Sequence, residues 1–222
     1  IGAPVAQSAV MDWNKGSNLL QYSEDFTQSN WPKSNVTITA NDATAPDGKT
    51  TAEKIIEVAN TDYHLLGHSP LTTTANIPYT FSVFVKAGTN DFGTVLINSY
   101  ISQEYATIVF DLTNGTITKQ QTGSGATINN TTITSAGNDW YLVSLTATIN
   151  NTGLYTYVGL SNSATPTISL YGVVNYLGNV ANNIYAWGAS MISGSTAGPY
   201  VPTLATAQTS EVLLPQGLTT GR

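Results

Sequence analysis

Short segments in which apolar and polar residues alternate constrain the fold of this chain more than any other feature of its sequence. The clearest is Tyr79–Lys86, in which every second residue is apolar from Tyr79 to Val85. This period of two is typical of a strand that buries one face. The same pattern predicts strands at Val36–Ala40, Thr94–Ile101, Tyr105–Leu112, Trp140–Ile149, Leu154–Leu160, Thr167–Val174 and Ile184–Ile192. Thr51–Val58 mixes helix-forming residues with an Ile-Ile-Glu-Val run, and we interpret it as a further strand.

Turn signals separate the predicted strands at fairly even spacing. Asp47-Gly48 and Asn114-Gly115 are turn dipeptides, and the second lies between two apolar runs. At least nine strands follow one another, with no Pro-rich linker before about residue 193. The sequence therefore predicts a single all-β domain over residues 18–203. Residues 1–17 and 204–222 lack the alternation, and we interpret them as an N-terminal arm and a C-terminal arm or linker.

Composition excludes several classes of partner. Charged residues are 9% of the 222, and the net charge is −6. The six lysines are scattered and the one arginine is Arg222, so the clustered basic surface that binds nucleic acid is missing. An anionic membrane surface is disfavoured for the same reason, and no apolar run is long enough for membrane insertion. The chain has no cysteine, which excludes disulfides and a cysteine nucleophile.

Seven sequence blocks, in a fixed order, resemble a known family. They are residues 18–26 with 31–33, 45–54, 79–87, 110–116, 137–141, 185–189 and 199–203. Together they resemble a β-sandwich domain common in bacteriophage tail fibres, head fibres and capsid decoration proteins, which is similar to jelly-roll carbohydrate-binding modules. The resemblance implies an antiparallel jelly-roll β-sandwich on a virion surface. It also implies that the protein assembles with other virion proteins and that it forms a symmetric oligomer of its own, most simply a homotrimer.

Tyrosines on two predicted strands form the candidate binding surface. Strand alternation in Leu154–Leu160 turns Tyr155 and Tyr157 away from the core. In the predicted strand Thr167–Val174 and the residue after it, the same alternation turns Tyr171 and Asn175 away from an apolar face made of Ile168, Leu170 and Val174. If the two strands are neighbours, three tyrosines share one face.

A face of tyrosines suits a sugar, because each ring offers a flat apolar surface with a polar tip. Tyr100 and Tyr105, around a predicted turn, could extend this surface. The alternative is that the rings pack between subunits. Trp13, in the N-terminal arm, is the candidate anchor into a neighbouring subunit.

Catalytic and metal signals are weak. His64 and His68 are four apart, but Gly67 lies between them and a strand would hold their rings too far apart for one metal ion. Most of the acidic residues lie at predicted turns, so a facing pair for glycoside hydrolysis is not indicated. The resemblance to jelly-roll modules suggests a site for one structural calcium ion. Its candidate ligands are Glu24, Asp25 and Asp47.

These observations lead to one main hypothesis and two alternatives. The first is a non-catalytic phage virion protein, either a fibre or a capsid decoration subunit, that binds cell-surface or environmental glycans. The second is a purely structural virion protein without a glycan ligand. The third is a binding module of a larger polysaccharide-degrading enzyme.

Overall fold

The computed structural model describes residues 14–99 and 103–214, and in them the chain is all-β and contains no helix. The strands are β1 (Asn14–Asn18), β2 (Lys33–Ser34), β3 (Val36–Thr44), β4 (Thr50–Glu57), β5 (Thr61–Asp62), β6 (Leu65–Leu71), β7 (Pro78–Ala87), β8 (Phe92–Ser99), β9 (Tyr105–Asp111), β10 (Thr116–Thr122), β11 (Ala126–Gly137), β12 (Trp140–Ile149), β13 (Leu154–Leu160), β14 (Tyr176–Leu177), β15 (Asn183–Ser193) and β16 (Gln208–Leu214). The described part accordingly has no helix that could cross a membrane.

Two antiparallel sheets of six strands make a jelly-roll β-sandwich. Sheet I has the order β10-β9-β8-β13-β6-β2, and sheet II has the order β11-β12-β7-β15-β4-β3. The chain crosses between the sheets several times, for example from β6 to β7 and from β12 to β13. The predicted fold class is confirmed.

The core lies between the sheets and follows the alternation in the sequence. On β7, Phe81, Val83 and Val85 are fully buried and pack against residues of both sheets. On β13, Leu154 and Val158 join the same cluster. The intervening residues of β13 point to the other side of sheet I, so that strand alternation decides what that outer face presents.

Most predicted strands are confirmed, with one clear error. Trp140–Ile149 and Leu154–Leu160 have the predicted limits, and Thr51–Val58 is strand β4 within one residue at each end. The segment Thr167–Val174 is not a strand, because it folds back on itself and forms a single isolated bridge between Ile168 and Val174. The structure adds three long strands that were not predicted, β6, β10 and β11, together with the shorter or terminal strands β1, β2, β5, β14 and β16.

The two predicted arms meet in their described parts. β1 pairs with β16 in a two-stranded antiparallel ribbon, with Asn14 opposite Leu214 and Asn18 opposite Gln208. Trp13 lies outside the described residues, so its role as a subunit anchor stays a prediction. The limits of the predicted domain, 18–203, also stay a prediction, although Asn18 and Thr203 are both buried.

Residues 161–182, which connect β13 to β15, cover part of the outer face of sheet I. We call them the covering segment. Ile168, Val174 and Tyr176 from this segment pack in a second apolar cluster with residues of sheet I, which are Leu65, Leu96, Tyr105 and Val109. The segment also carries β14, which pairs with β5. One side of sheet I therefore has a small core of its own.

A buried carboxyl group fastens the segment before β2 to sheet II. Glu53 on β4 is 2% exposed, and its Oε2 accepts the backbone N–H of Phe26 at 2.9 Å. Burial raises the pKa of Glu53 to about 8. The nearby charge of Asp25 acts in the same direction, while the Phe26 N–H and Lys33 act against it. Glu53 is therefore largely protonated in the folded protein at neutral pH.

This raised pKa predicts a stability that falls with pH. Between pH 4.5 and about 8 the folded protein keeps a proton that the unfolded chain releases. The free energy of unfolding should fall across this window by up to about 1.4 kcal/mol per pH unit. Glu53→Gln, which still accepts the Phe26 N–H, should flatten that slope in urea unfolding measured at several pH values. Asp91→Asn, an exposed control, should not; an equal slope in the Glu53 variant would refute the assignment.

Candidate functional site

Two tyrosines lie side by side on the outer face of sheet I. Tyr155 and Tyr157 alternate on β13 with core residues, and their rings stack at a centroid distance of 6.3 Å and an interplanar angle of 12°. Strand β13 lies inside the sheet, between β8 and β6. Asn98 on β8 is directly opposite Tyr155 and therefore belongs to the same face.

A glycine on β6 makes room for the Tyr157 ring. Gly67 is directly opposite Tyr157. A Cβ atom at Gly67 would lie 2.5 Å from Cε1 of Tyr157, well inside van der Waals contact. The ring therefore lies over the backbone of β6, and its position depends on the missing side chain.

The covering segment stands beside these rings and is attached to sheet I by polar contacts. Oγ1 of Thr107 on β9 donates to the carbonyl of Gly172 at 2.7 Å, and Nζ of Lys119 on β10 donates to the carbonyl of Pro166 at 2.6 Å. The ring of Tyr105 lies under Gly172, where a Cβ atom would be 2.6 Å from it. Strand residues that point outward thus hold the segment from below.

A tight turn in the covering segment exposes an aromatic ring. The Gly172 N–H donates to the Ser169 carbonyl at 3.0 Å, and the Ser169 N–H donates to the Val173 carbonyl at 2.9 Å. Gly172 has a φ of 82°, which favours glycine at this position. At the tip, Leu170 and Tyr171 are 67% and 62% exposed.

An open groove of about 850 Å³ runs between the tyrosines of sheet I and the covering segment. This size lies within the range of ~300–1,000 Å³ that is usual for small-molecule sites. Its described lining consists of Ser34, Asp62, Tyr63, Leu65, Asn98, Ser99, Tyr157, Ser169, Leu170, Tyr171, Val173 and Asn175. The lining combines aromatic rings with hydroxyl, amide and carboxylate groups.

Two polar atoms of the lining residues, Oδ1 of Asn98 and Oγ of Ser99, are left without a partner among the described residues. Oδ1 of Asn98 is buried and has no hydrogen-bond partner among the described residues. A buried acceptor without a donor costs free energy, about 1–3 kcal/mol, unless a ligand or water supplies the donor. A ligand hydroxyl could donate to this oxygen.

The structure brings together part of the predicted tyrosine surface. Tyr157, Tyr171 and Asn175 all line the groove, whereas Tyr155 stacks on Tyr157 outside the described lining. Tyr100 lies outside the described residues. The predicted neighbouring strands are in fact one strand and the covering segment.

Two predicted placements need correction. Tyr105 is 4% exposed beneath the covering segment, and its hydroxyl accepts a hydrogen bond from Nε2 of Gln121 at 2.6 Å. Its ring supports the segment and cannot form part of the groove surface. Leu170, expected on the apolar face with Ile168 and Val174, is at the exposed tip of the turn because the segment bends there.

Several lining residues were not anticipated. Ser34, Asp62, Tyr63, Asn98 and Ser169 come from four separate parts of the chain that meet only in the folded protein. The outward position of Asn98 was readable from the alternation in β8. Nothing local in the sequence marked the others.

The candidate calcium ligands do not form a cluster. Asp25 accepts hydrogen bonds from Thr27 and Gln28, and Asp47 from Lys49, with which it also forms an ion pair. Oε1 of Glu24 accepts the Tyr200 hydroxyl at 3.0 Å. Within the described ranges no three Asp, Glu, His or Cys residues come together as a metal site. The three candidate carboxylates do not form such a cluster, and calcium binding stays a prediction.

The two histidines are buried and have separate partners. Nδ1 of His64 lies 2.9 Å from the Asn35 carbonyl oxygen. Nε2 of His68 accepts the Gln21 N–H at 3.1 Å, and burial lowers the pKa of His68. Both rings therefore pack as structural groups of the protein interior.

No protein-family model matches the chain, and no curated protein matches it in sequence. Among solved structures, the chain is similar to the N-terminal CBM22-1 and GH10 modules of endo-1,4-β-D-xylanase 10B from Clostridium thermocellum, determined with xylohexaose. The sequence identity is 11% and the TM-score is 0.43. The similarity covers 83% of this chain and 29% of that chain.

Proposed function

We propose that the protein is a non-catalytic carbohydrate-binding jelly roll that holds a glycan in the groove on sheet I. The observation that carries the proposal is the joint placement of the Tyr157 and Tyr171 rings with the unpartnered Oδ1 of Asn98 in one open groove. Tyrosine rings can stack on the C–H faces of sugars, and the amide oxygen can accept a sugar hydroxyl.

The acidic groups of the groove support binding without hydrolysis. Asp62 is the only carboxylate among the described lining residues. Glycoside hydrolysis by the common mechanisms needs two carboxyl groups, about 5–9.5 Å apart across the scissile bond. The groove offers one, so its described part can hold a glycan but does not supply an acid and a base to cleave it.

We place this binding on a virion surface because of the seven sequence blocks that resemble phage structural domains. One groove of this open shape should bind weakly. A homotrimer, repeated over a particle, would multiply the contacts and raise the avidity.

A second candidate function is supported by exposed apolar residues on the covering segment. Leu170, Leu177 and Val180 are 67%, 70% and 65% exposed, close in sequence to Tyr171. Such residues could instead pack against a neighbouring subunit. The groove would then be an assembly surface, as in the purely structural alternative.

A glycan array read together with sedimentation velocity separates these functions. The purified protein is applied to arrayed oligosaccharides and to host-envelope extracts, and its mass is measured at the same concentrations. Specific glycan signals that the Tyr155→Ala/Tyr157→Ala double variant loses, with its circular dichroism unchanged, would support the proposal. The absence of any glycan signal, with self-association that Leu170→Ser abolishes, would favour the assembly function.

A further inference from the structure

The charge of the groove limits what it can bind. The described lining contains one charged side chain, Asp62, and no lysine, arginine or histidine. A carboxylate, sulfate or phosphate on a ligand needs a cationic partner or several N–H donors to replace its water. This surface has a negative group where such a partner would be needed.

The five lysines whose side chains the structure describes, which might have supplied a positive charge, are engaged elsewhere. Nζ of Lys33 donates to the carbonyls of Thr27 and Gln28, although Lys33 is next to Ser34 in the groove. Nζ of Lys119 donates to the carbonyl of Pro166, and neither residue is part of the described lining. The remaining described ammonium groups pair with acidic residues of the turns and edges of sheet II, in the pairs Lys49–Asp47, Lys54–Asp42 and Lys86–Asp139.

Asp62 is built into the wall of the groove rather than attached to a free loop. It belongs to β5, whose pairing with β14 of the covering segment places Asp62 opposite Tyr176. Its Oδ1 accepts the backbone N–H of Tyr63 at 2.9 Å. Oδ2 receives no donor from the described residues, so one oxygen of a fixed, half-buried carboxylate remains available to a ligand.

We propose that the groove selects uncharged glycans, and that Asp62 sets this selectivity by accepting a sugar hydroxyl and repelling acidic sugars. The inference rests on the proposed function and specifies its class of ligand. A neutral hydroxyl can donate to Oδ2, whereas a uronate, sialate, sulfate or phosphate has no positive group in the described groove to pair with. Rejection by a fixed like charge is a known source of specificity, because a desolvated repulsive pair costs more than a lost contact.

The test compares neutral glycans with their acidic counterparts. Glycan-array hits are titrated by isothermal calorimetry with the wild-type protein, Asp62→Asn and the control Asp91→Asn. Each neutral oligosaccharide is paired with a counterpart carrying a uronate or sulfate. Asp62→Asn removes the charge but keeps a side-chain oxygen for the Tyr63 N–H. Asp91 precedes β8, at the opposite end of that strand from Asn98, so its variant makes the same change in net charge away from the groove.

Wild-type protein should bind the neutral member at least about tenfold more tightly than the acidic one. Affinity for the neutral glycan should change less than about twofold between about 20 and 500 mM salt. Asp62→Asn should reduce the discrimination at least about threefold, by strengthening the acidic ligand or weakening the neutral one, and Asp91→Asn should not.

Equal or tighter binding of acidic glycans by the wild-type protein would overturn the inference and leave the proposed function intact. Discrimination unchanged in Asp62→Asn would also overturn the role of that residue. If no glycan of either kind binds, the proposed function itself fails, and that result is distinct from a failure of selectivity.

Discussion

Tyr157→Ala is expected to weaken glycan binding by about tenfold or more, which corresponds to a loss of about 1.4 kcal/mol or more. The ring lies over β6 in the floor of the groove and is the aromatic ring that the strands of sheet I contribute to the described lining. Truncating it removes one of the two proposed stacking rings and leaves Tyr171 and the polar groups of the groove in place. Titration of a glycan-array hit by calorimetry measures the change directly.

A second variant tests whether binding depends on the position of the Tyr157 ring as well as on its presence. In Gly67→Ala, the new Cβ would overlap the Tyr157 ring and force it away from the floor. We expect this variant to lose a large part of the affinity although every groove side chain is retained. Tyr185→Ala, on sheet II, is the matched control and should bind as the wild type does. Wild-type affinity in both Tyr157→Ala and Gly67→Ala would remove this ring from the binding site.

The sequence predicted the sandwich because its signal is local. Strand period depends on every second residue, so Trp140–Ile149 and Leu154–Leu160 could be located to the residue. Alternation also told which side of β13 carries Tyr155 and Tyr157. Alternation does not show whether that side is exposed to solvent, because exposure depends on which other part of the chain covers it.

Tyr105 shows the limit of the pattern. It alternates with core residues on β9 and points outward, as Thr107 and Val109 do. Its place beside a predicted turn made it a possible extension of the tyrosine surface, yet the covering segment encloses it. The apolar spacing of Ile168, Leu170 and Val174 also fits a strand. The turn closed at Gly172 points Leu170 outward. An alternating pattern of apolar residues does not reveal that the chain reverses direction within the segment.

The groove itself depends on contacts between distant residues. Asp62 reaches it through the pairing of β5 with β14, over more than 110 positions of sequence. Strands of two residues, such as β5 and β14, are too short to show an alternating pattern, so they cannot be predicted from one sequence. Individual ring-bearing residues could be proposed from the sequence, but the polar residues between them could not.

Glu57→Ala is expected to cause the largest loss of stability among the changes considered, about 3–5 kcal/mol. Glu57 lies at the end of β4 and is 1% exposed. Its Oε1 accepts the Tyr176 hydroxyl at 2.6 Å, and its Oε2 accepts the Asn179 N–H at 2.7 Å and the Asn182 side-chain amide at 3.3 Å. Truncation would leave these donors of the covering segment without their acceptor. Urea unfolding monitored by tryptophan fluorescence gives the change in stability.

The loss should be greatest at the covering segment, which makes it relevant to binding. Burial, together with Glu57, raises the pKa of Tyr176 well above its ordinary value, so the hydroxyl stays a donor at any ordinary pH. Amides of residues 176–182 should exchange with deuterium faster in Glu57→Ala than those of β7, because the segment can open without the sandwich unfolding. Tyr176→Phe removes one of the three hydrogen bonds and should cost about 1–2 kcal/mol. If exchange becomes faster to the same extent in the strands and in the covering segment, Glu57 stabilises the whole sandwich. The covering segment would then not open independently of the two sheets.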